Sequence, residues 1–321
     1  MKSNKQCLFS APYSFSPSIK AELNKIIHSD FYEIWNPEDV KFSPDLRYWI
    51  VNPGQTFTFD EKIFSQTPNL ELIITPSTGT NHIDIDFCKI KKIKVFGLLS
   101  MKKKLKQITA SSEFTFLMIL NSLRRIDLAI EETKNKRWRE NEDLMRGSEL
   151  NKKNVGIIGL GRNGSNIAKW CKSFGANVSY YDPFVKKRLV KEENLENIFL
   201  NNDIVVICCA LNKETHNLIT TNYLKLLRPN SHLINTSRGE VINERDLSNF
   251  IDKRKDVSIN LDVLSNEVIH EQFKSPLYKH ILDGDILVTP HISGATLESQ
   301  LKAARTSFSI LKQYLNGKRK T

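Results

Sequence analysis

The sequence predicts an α/β protein built from two doubly wound parallel-sheet domains. Short apolar strands alternate with amphipathic helices through the first hundred residues. The same alternation restarts at Asn154 and runs through six further strands, and a glycine-rich turn follows the first of these six directly. Such alternation indicates parallel strands, because each crossover helix returns the chain to the same end of the sheet.

Length and composition are those of a globular protein with a buried core. The chain has 321 residues, of which 40% are hydrophobic, which is enough for one large or two ordinary domains. No apolar run is long enough to span a membrane, and the N-terminal stretch lacks the apolar segment of a secretory signal. The five cysteines follow no metal-binding spacing, so we expect a cytoplasmic protein without a metal site.

The formal net charge of +11 raises the question of nucleic-acid binding. The lysines are spread along the chain, and the densest runs, "MKKKLK" from Met101 and "GKRK" from Gly317, are not interleaved with aromatic residues. A single-strand binder needs that interleaving. We therefore expect a solvated basic surface that attracts acidic substrates, and no nucleic-acid partner.

The first hundred residues predict one sheet. The expected strands are "QCLFSA", "RYWIVN", "LELIITP" and "IKVFGLL". Between the first two, "SPSIKAELNKIIH" has apolar residues at Ile19, Leu23, Ile26 and Ile27, which is helical spacing.

A long helix is predicted next, over "TASSEFTFLMILNSLRRIDLAIEET". It opens with Thr, Ser and Glu residues that suit a helix N-terminus. Its apolar residues, from Phe114 to Ile130, cover most of the circumference. A helix of this kind is buried or packs on a second subunit.

The second half of the chain predicts the second sheet. Its expected strands are "NVGIIG", "NVSYYD", "DIVVICCA", "HLINTS", "VSINLDV" and "DILVTP". A final helix is predicted over "ATLESQLKAARTSFSILKQYL". Six strands that alternate with helices are typical of a doubly wound sheet.

Gly159, Gly161 and Gly164 follow the strand "NVGIIG" in G-x-G-x-x-G order and open a helix. Gly159 permits the tight turn, Gly161 lets the backbone approach a pyrophosphate, and Gly164 lets the helix pack on the strand. The N–H groups at a helix N-terminus bind phosphate oxygens. The motif in this context predicts a dinucleotide site, against the alternative of a purely structural turn.

Asp182 ends the second strand of this sheet, about twenty residues beyond the glycines. A carboxylate there accepts hydrogen bonds from a ribose 2′-hydroxyl and repels a 2′-phosphate, which favours NAD over NADP. The basic run "KKR" that starts at Lys186 opposes that preference.

Three polar residues follow later strands of the same sheet: Arg238 in "NTSRGEV", Glu267 in "LDVLSNEV" and His291 in "TPHISG". Ligands of doubly wound sheets bind outside the carboxyl ends of the strands. Taken singly, these residues also fit a surface salt bridge, a solvated acid and a core histidine. Their coincidence at successive strand ends favours a catalytic site.

The chain resembles the D-isomer-specific 2-hydroxyacid dehydrogenases over nearly its whole length. The resemblance rests on "TGTNHIDID", "RGSELNKKNVGIIGLGRNG", "LLRPNSHLINTSRGEVINERDL", "LDVLSNEV" and "TPHISGAT". It implies a flavodoxin-like substrate-binding domain over 1–100 and 292–321, and a Rossmann NAD-binding domain over 101–291, with a cleft between them. It also implies that the helix near Ser111 enters a homodimer interface.

The resemblance implies roles for the residues at the strand ends. His291 would be the acid/base, paired with Glu267. Arg238 would hold the substrate carboxylate and polarise the carbonyl, and backbone N–H groups of Thr78 and Gly79 would help to bind that carboxylate.

The resemblance also implies cofactor contacts: Asp262 with the nicotinamide carboxamide, and backbone N–H groups of Arg162 and Asn163 with the pyrophosphate. Two positions depart from the family pattern. Val268 stands where proline is usual, after the predicted acid, and Ser77 stands where many members have glycine.

These roles suit the reduction of a 2-keto acid. Negative charge develops on the carbonyl oxygen as hydride reaches carbon, and a protonated histidine neutralises it by giving a proton. A neighbouring carboxylate stabilises the imidazolium. A guanidinium binds both oxygens of a carboxylate, and the cofactor supplies the hydride without a metal.

Other functions fit the same fold. Some relatives are NAD-sensing corepressors that retain the three polar residues, but a corepressor should need a peptide-binding cleft and disordered extensions. An amino-acid dehydrogenase would generally use a lysine, and none occupies "TPHISG". We therefore expect an NAD-dependent dehydrogenase of a small D-2-hydroxy acid, phosphoglycerate- or glycerate-like. Whether Lys102, Lys103 and Lys104 meet a phosphorylated substrate or are merely solvated stays open.

Overall fold

The computed structural model describes residues 6–41, 43–186, 190–269 and 271–318 of the chain, without the side chain of Val268. Its strands are β1 (Cys7–Phe9), β2 (Ser29–Phe31), β3 (Tyr48–Ile50), β4 (Leu72–Ile74), β5 (Lys94–Phe96), β6 (Asn154–Ile158), β7 (Asn177–Tyr181), β8 (Lys191–Glu192), β9 (Ile204–Ile207), β10 (His232–Asn235), β11 (Ser258–Leu261) and β12 (Ile286–Val288).

The α-helices are α1 (Ser18–Asn24), α2 (Glu61–Phe64), α3 (Ile85–Ile90), α4 (Lys102–Leu105), α5 (Ala110–Arg124), α6 (Ile126–Lys134), α7 (Glu142–Met145), α8 (Arg162–Ser173), α9 (Leu195–Asn201), α10 (Thr221–Leu224), α11 (Glu244–Lys253), α12 (Tyr278–Leu282) and α13 (Leu297–Lys318). Among the described residues, no helix is long and apolar enough to cross a lipid bilayer.

The chain divides into two compact units. One takes the described residues of Met1–Ile108, Glu267–His270 and Ala295–Thr321, and the other takes Thr109–Asn266 and Glu271–Gly294. Each unit contains one parallel sheet. The expected domain boundaries, 1–100 with 292–321 against 101–291, stay a prediction.

The first unit has five parallel strands in the order β2-β1-β3-β4-β5. Successive strand residues point to opposite faces of the sheet. Phe9, Ile50 and Ile74 therefore pack with α1 and α13, whereas Leu8 and Trp49 pack on the other face, where α2 and α3 lie. The expected sheet is confirmed, with one strand, β2, that the sequence did not reveal.

The second unit has seven parallel strands in the order β12-β11-β10-β9-β6-β7-β8. All six predicted strands are present, and the two-residue strand β8 adds an edge beside β7. Helices α5 and α8 cover one face of the sheet, and α9 and α11 cover the other. Because the strand order reverses between β6 and β9, the connections that leave the carboxyl ends of these two strands run to opposite sides of the sheet, which is the usual ligand position in such sheets.

The predicted long helix is wrong in one respect, because it breaks at Arg125. That residue has the left-handed backbone conformation (φ 53°) and separates α5 from α6. The reason lies in the tertiary structure. The backbone N–H of Ser148 donates to the carbonyl oxygen of Leu123 at 2.8 Å, in the last turn of α5, which gives that carbonyl a partner from outside the helix.

Candidate active site

The glycine turn after β6 has the geometry that its sequence predicts. Gly159 adopts φ 93°, and a Cβ atom there would lie 2.7 Å from the backbone nitrogen of Cys209. A Cβ atom at Gly164 would lie 2.1 Å from the carbonyl oxygen of Gly159, so only glycine lets α8 pack this closely. A Cβ atom at Gly161 would meet nothing within 4 Å. The turn therefore leaves open space beside the N-terminus of α8, which fits a pyrophosphate.

Arg162 and Asn163 form the first turn of α8. The side-chain oxygen Oδ1 of Asn163 accepts a hydrogen bond from the hydroxyl of Ser112 at 3.0 Å, which ties α8 to α5. The Oδ1 atom of Asn163 thus has a structural task, and the predicted contact of its backbone N–H with the cofactor stays a prediction. Burial lowers the pKa of the Arg162 guanidinium, because a buried cation loses hydration. An anionic ligand at this helix end would offset that loss.

Asp182 is buried at the end of β7, and its carboxylate organises the glycine turn. Oδ2 accepts the N–H of Leu160 at 2.7 Å, while Oδ1 accepts the N–H groups of Phe184 and Val185 at 2.9 and 3.0 Å. A carboxylate has about four acceptor positions. The donors among the described residues fill three of these positions, which leaves one for the predicted ribose contact. Of the opposing basic run, Lys187 and Arg188 lie outside the described residues, and Lys186 forms an ion pair with Glu192.

Asp262, which directly follows β11, is 0% exposed. Its carboxylate accepts hydrogen bonds from the Thr289 hydroxyl at 2.7 Å and from the backbone N–H groups of Ile292 and Ser293, each at 2.9 Å. The carboxylate therefore holds the turn that carries His291. This task was not visible in the sequence, and the predicted carboxamide contact of Asp262 stays a prediction.

His291 is exposed and has a left-handed backbone (φ 52°). Its N–H donates to the carbonyl oxygens of Asp262 at 2.8 Å and of Thr289 at 3.0 Å. Residues other than glycine occupy this conformation rarely, and such strain persists only where the surroundings enforce it. The turn thus fixes the imidazole at the carboxyl end of β12.

Arg238 lies three residues beyond β10 and is half-buried. Its backbone carbonyl accepts a hydrogen bond from the side chain of Asn235 at 2.9 Å, and its Nη1 atom donates to the carbonyl oxygen of Ser237 at 2.6 Å. β10, β11 and β12 are neighbours in the sheet, so Arg238, Asp262 and His291 follow three adjacent strands. Glu267 belongs to the segment grouped with the first unit, and its pairing with His291 stays a prediction.

Thr78 and Gly79 follow β4 in the first unit, and side chains missed in the sequence support their turn. The Ser77 hydroxyl donates to the carbonyl oxygen of Gly79 at 2.7 Å and lies 2.9 Å from the Thr75 hydroxyl. The Nε2 atom of buried His82 is 3.1 Å from that Thr75 hydroxyl. Serine at position 77, where many family members have glycine, therefore adds a side-chain hydrogen bond that stabilises the turn. The signal was present, since His82 stands in the quoted "TGTNHIDID".

The other departure, Val268, concerns a side chain that lies outside the described residues. Of the lysine run, Lys102, Lys103 and Lys104 are exposed on α4, and the ammonium of Lys104 donates to the hydroxyl of Ser309 on α13. Lys104 thus has a partner within its own unit.

Residues 116–293 match the family model of the D-isomer specific 2-hydroxyacid dehydrogenase NAD-binding domain. The chain is 29% identical over 305 residues to D-3-phosphoglycerate dehydrogenase of Bacillus subtilis. The aligned region covers 92% of this chain but only 55% of that relative. The chain is 31% identical over 274 residues to glyoxylate reductase of Thermofilum pendens, covering 80% of this chain and 76% of the relative.

Solved structures agree with the sequence relatives. The crystal structure of D-lactate dehydrogenase from Aquifex aeolicus, complexed with NAD and lactic acid, is 25% identical and has a TM-score of 0.80. The similarity covers 97% of this chain and 96% of that one. The predicted fold class and the predicted use of NAD are thereby confirmed. The chain therefore belongs to the D-isomer specific 2-hydroxyacid dehydrogenase family and is an NAD-dependent oxidoreductase.

Proposed function

We propose that this chain interconverts a small 2-keto acid and its D-2-hydroxy acid, of glycerate or phosphoglycerate type. The observation that carries the proposal is the turn at His291. An exposed imidazole is held in a strained backbone conformation by Asp262, whose strand β11 lies between β12, which leads to His291, and β10, which leads to Arg238. A proton donor and a guanidinium at the same edge of one sheet suit a substrate with a carbonyl next to a carboxylate.

Each residue has a defined task in this proposal. Arg238 binds the substrate carboxylate through its planar fork, and the turn at Thr78 and Gly79 donates backbone N–H groups to the same carboxylate. His291 gives its proton to the carbonyl oxygen during reduction and takes it back during oxidation. Glu267 stabilises the imidazolium. NAD, when bound along Gly159–Gly164 and Asp182, supplies or accepts the hydride.

We propose further that the protein is a cytoplasmic homodimer. All five cysteines are free thiols, which suits a reducing compartment. Large apolar side chains are exposed on α5, on α6, between α6 and α7, on α7 and at the end of α8, namely Leu117, Ile126, Ile130, Trp138, Leu144 and Phe174. An exposed apolar surface of this kind is typical of a protein interface.

The function is tested with a panel of 2-keto acids that includes phosphohydroxypyruvate, hydroxypyruvate and glyoxylate, followed by NADH absorbance. We expect His291→Ala to lower turnover by roughly 10²- to 10⁴-fold on the preferred acid, the usual contribution of a positioned acid. Near-normal turnover would remove His291 from the mechanism.

Two further measurements separate binding from chemistry. Arg238→Lys should raise the KM for the keto acid and leave NADH binding almost unchanged, because lysine lacks the planar fork. Equal loss of both would indicate a folding defect. The same assay with NADPH tests the role given to Asp182, since its carboxylate should reject a 2′-phosphate.

A further inference from the structure

The segment that leads from β11 to the predicted acid Glu267 is held by its neighbours rather than by regular structure. It begins at Asp262 and ends at Asn266, which has a left-handed backbone (φ 61°). Val263 and Leu264 are buried, whereas Ser265 and Asn266 approach the surface. The direction in which the chain enters Glu267 therefore depends on what fixes the backbone of these last two residues.

Glu244, the first residue of α11, binds the chain on both sides of the Glu267 segment. Its Oε1 atom accepts the backbone N–H of Ser265 at 2.6 Å, and its Oε2 atom accepts the hydroxyl of Ser275 at 2.6 Å. Both hydrogen bonds are charge-assisted, and such bonds are about twice as strong as neutral ones. One carboxylate thus joins Ser265 and Ser275, the two ends of the segment that contains Glu267.

Two neighbours reinforce this contact. The Oε1 atom of Glu240 accepts the N–H of Asn266 at 3.3 Å. A Cβ atom at Gly239 would lie 2.0 Å from the carbonyl carbon of Leu264, so the backbone after Arg238 and the backbone before Ser265 are in direct contact. The segment that leads to Glu267 therefore rests on the same turn that carries Arg238.

We infer that Glu244 is a positioning residue, which fixes Glu267 through Ser265 and Ser275. The inference rests on the proposed pairing of Glu267 with His291. Without the Glu244 carboxylate, Ser265 and Ser275 lose the hydrogen bonds that hold both ends of the 265–275 segment, and Glu267 samples more positions. A misplacement of about 1 Å at a reacting group costs up to roughly 10²-fold in rate.

The test compares the pH dependence of keto-acid reduction in Glu244→Ala, Glu267→Gln and the double variant. Removal of the Glu267 charge should move the optimum downward, because the imidazolium loses its stabilising neighbour. We expect Glu244→Ala to reproduce that direction, to lower kcat by roughly 10- to 10²-fold and to leave the KM for NADH within about two-fold. The double variant should add almost nothing, since both changes act on one group.

Asp246→Ala is the matched control. Asp246 also lies in the first turn of α11, and its Oδ2 atom accepts the N–H of Thr221 at 2.7 Å, on α10. Both variants remove one acid from the same helix end, but only Glu244 contacts the Glu267 segment. Asp246→Ala should keep the wild-type pH profile. An equal displacement of the optimum in Asp246→Ala would overturn the inference.

Glu244→Gln provides a graded variant, because its amide oxygen still accepts the Ser265 N–H while its amide nitrogen donates. We expect the pH optimum and the kcat of Glu244→Gln to lie between those of wild type and Glu244→Ala. Amide hydrogen exchange at Ser265 and Asn266 should accelerate in Glu244→Ala.

If Glu267→Gln shifts the optimum and Glu244→Ala does not, the inference is wrong and the proposed function stands. If Glu267→Gln itself leaves the pH optimum unchanged, the proposed pairing of Glu267 with His291 is wrong, and the positioning role of Glu244 is refuted with it.

Discussion

Single carboxylates organise the turns of the second unit. Asp182 accepts the N–H of Leu160 in the glycine turn, Asp262 accepts the N–H of Ser293 in the His291 turn, and Glu244 accepts the N–H of Ser265. A carboxylate that accepts backbone N–H groups is well satisfied, and it fixes the backbone around it. The residues that hold the site are therefore chemically similar, although the sequence assigns them no common motif.

His232, at the start of β10, makes the stability of the second unit depend on pH. Burial in the first place, together with the nearby charges of Lys153 and Arg125, lowers the pKa of His232 to about 4, against the opposing effect of Asp203. The folded protein therefore keeps this imidazole neutral, whereas the unfolded chain protonates it near pH 6.5. The contribution of His232 to the free energy of unfolding is fully present above that pH and is lost as the pH drops towards 4.

We expect this histidine to lower the free energy of unfolding by about 2 kcal/mol between pH 7 and pH 5. His232→Gln, which cannot titrate, should remove that part of the pH dependence. The measurement is urea unfolding at both pH values. Identical pH dependence in the variant and the wild type would show that the imidazole titrates normally in the folded protein.

At the level of elements, the break between α5 and α6 is the clearest departure from the pattern. The stretch "SLRRIDL" contains neither proline nor glycine, and helical periodicity continues across it. The chain at Gly147 and Ser148 returns to the end of α5 and takes the carbonyl of Leu123. A Cβ atom at Gly147 would lie 2.2 Å from that carbonyl oxygen, so the chain at Gly147 packs directly against the end of α5.

Arg125→Gly distinguishes a broken helix from a continuous one. Glycine adopts a left-handed backbone without strain, so we expect the variant to be stabilised or unchanged, by up to about 1 kcal/mol. In a continuous helix the same change would cost about 1 kcal/mol. Lys169→Gly, on an exposed position inside α8, is the matched control and should show that cost. Equal destabilisation of both variants in urea unfolding would contradict the break.

At the level of the whole molecule, the exposed apolar surface of the second unit is what a partner would cover. It includes Ile130 on α6, which is 49% exposed, and Trp138, which is 77% exposed. Burial of such side chains contributes roughly 1.5–3 kcal/mol each. The proposed homodimer would provide that burial.

We expect the protein to sediment at about twice the chain mass of 36.9 kDa. Ile130→Glu should shift it towards the monomer, because a buried unpaired charge is costly. Ile90→Glu is the control, since Ile90 is 75% exposed on α3 of the first unit and lies outside the proposed interface. A monomeric wild type, or equal dissociation of both variants, would refute the proposed interface.

The sequence by itself determined the class of fold and most of its strands. Continuous apolar runs such as "DIVVIC" and the glycine turn at Gly159 report local requirements of buried strands and tight turns, which short stretches encode. β2 and β8 were not predicted because "SDF" and "KE" contain no apolar run, and pairing with β1 and β7 creates them.

Tertiary structure alone decided how the candidate site is supported. That Asp262 serves the His291 turn and that Glu244 joins Ser265 to Ser275 depend on contacts between residues that no periodicity relates. A hydrogen bond between distant residues is specified by the packing of whole elements. Residue type at one position therefore predicts the chemistry available there, and the fold determines which neighbour uses it.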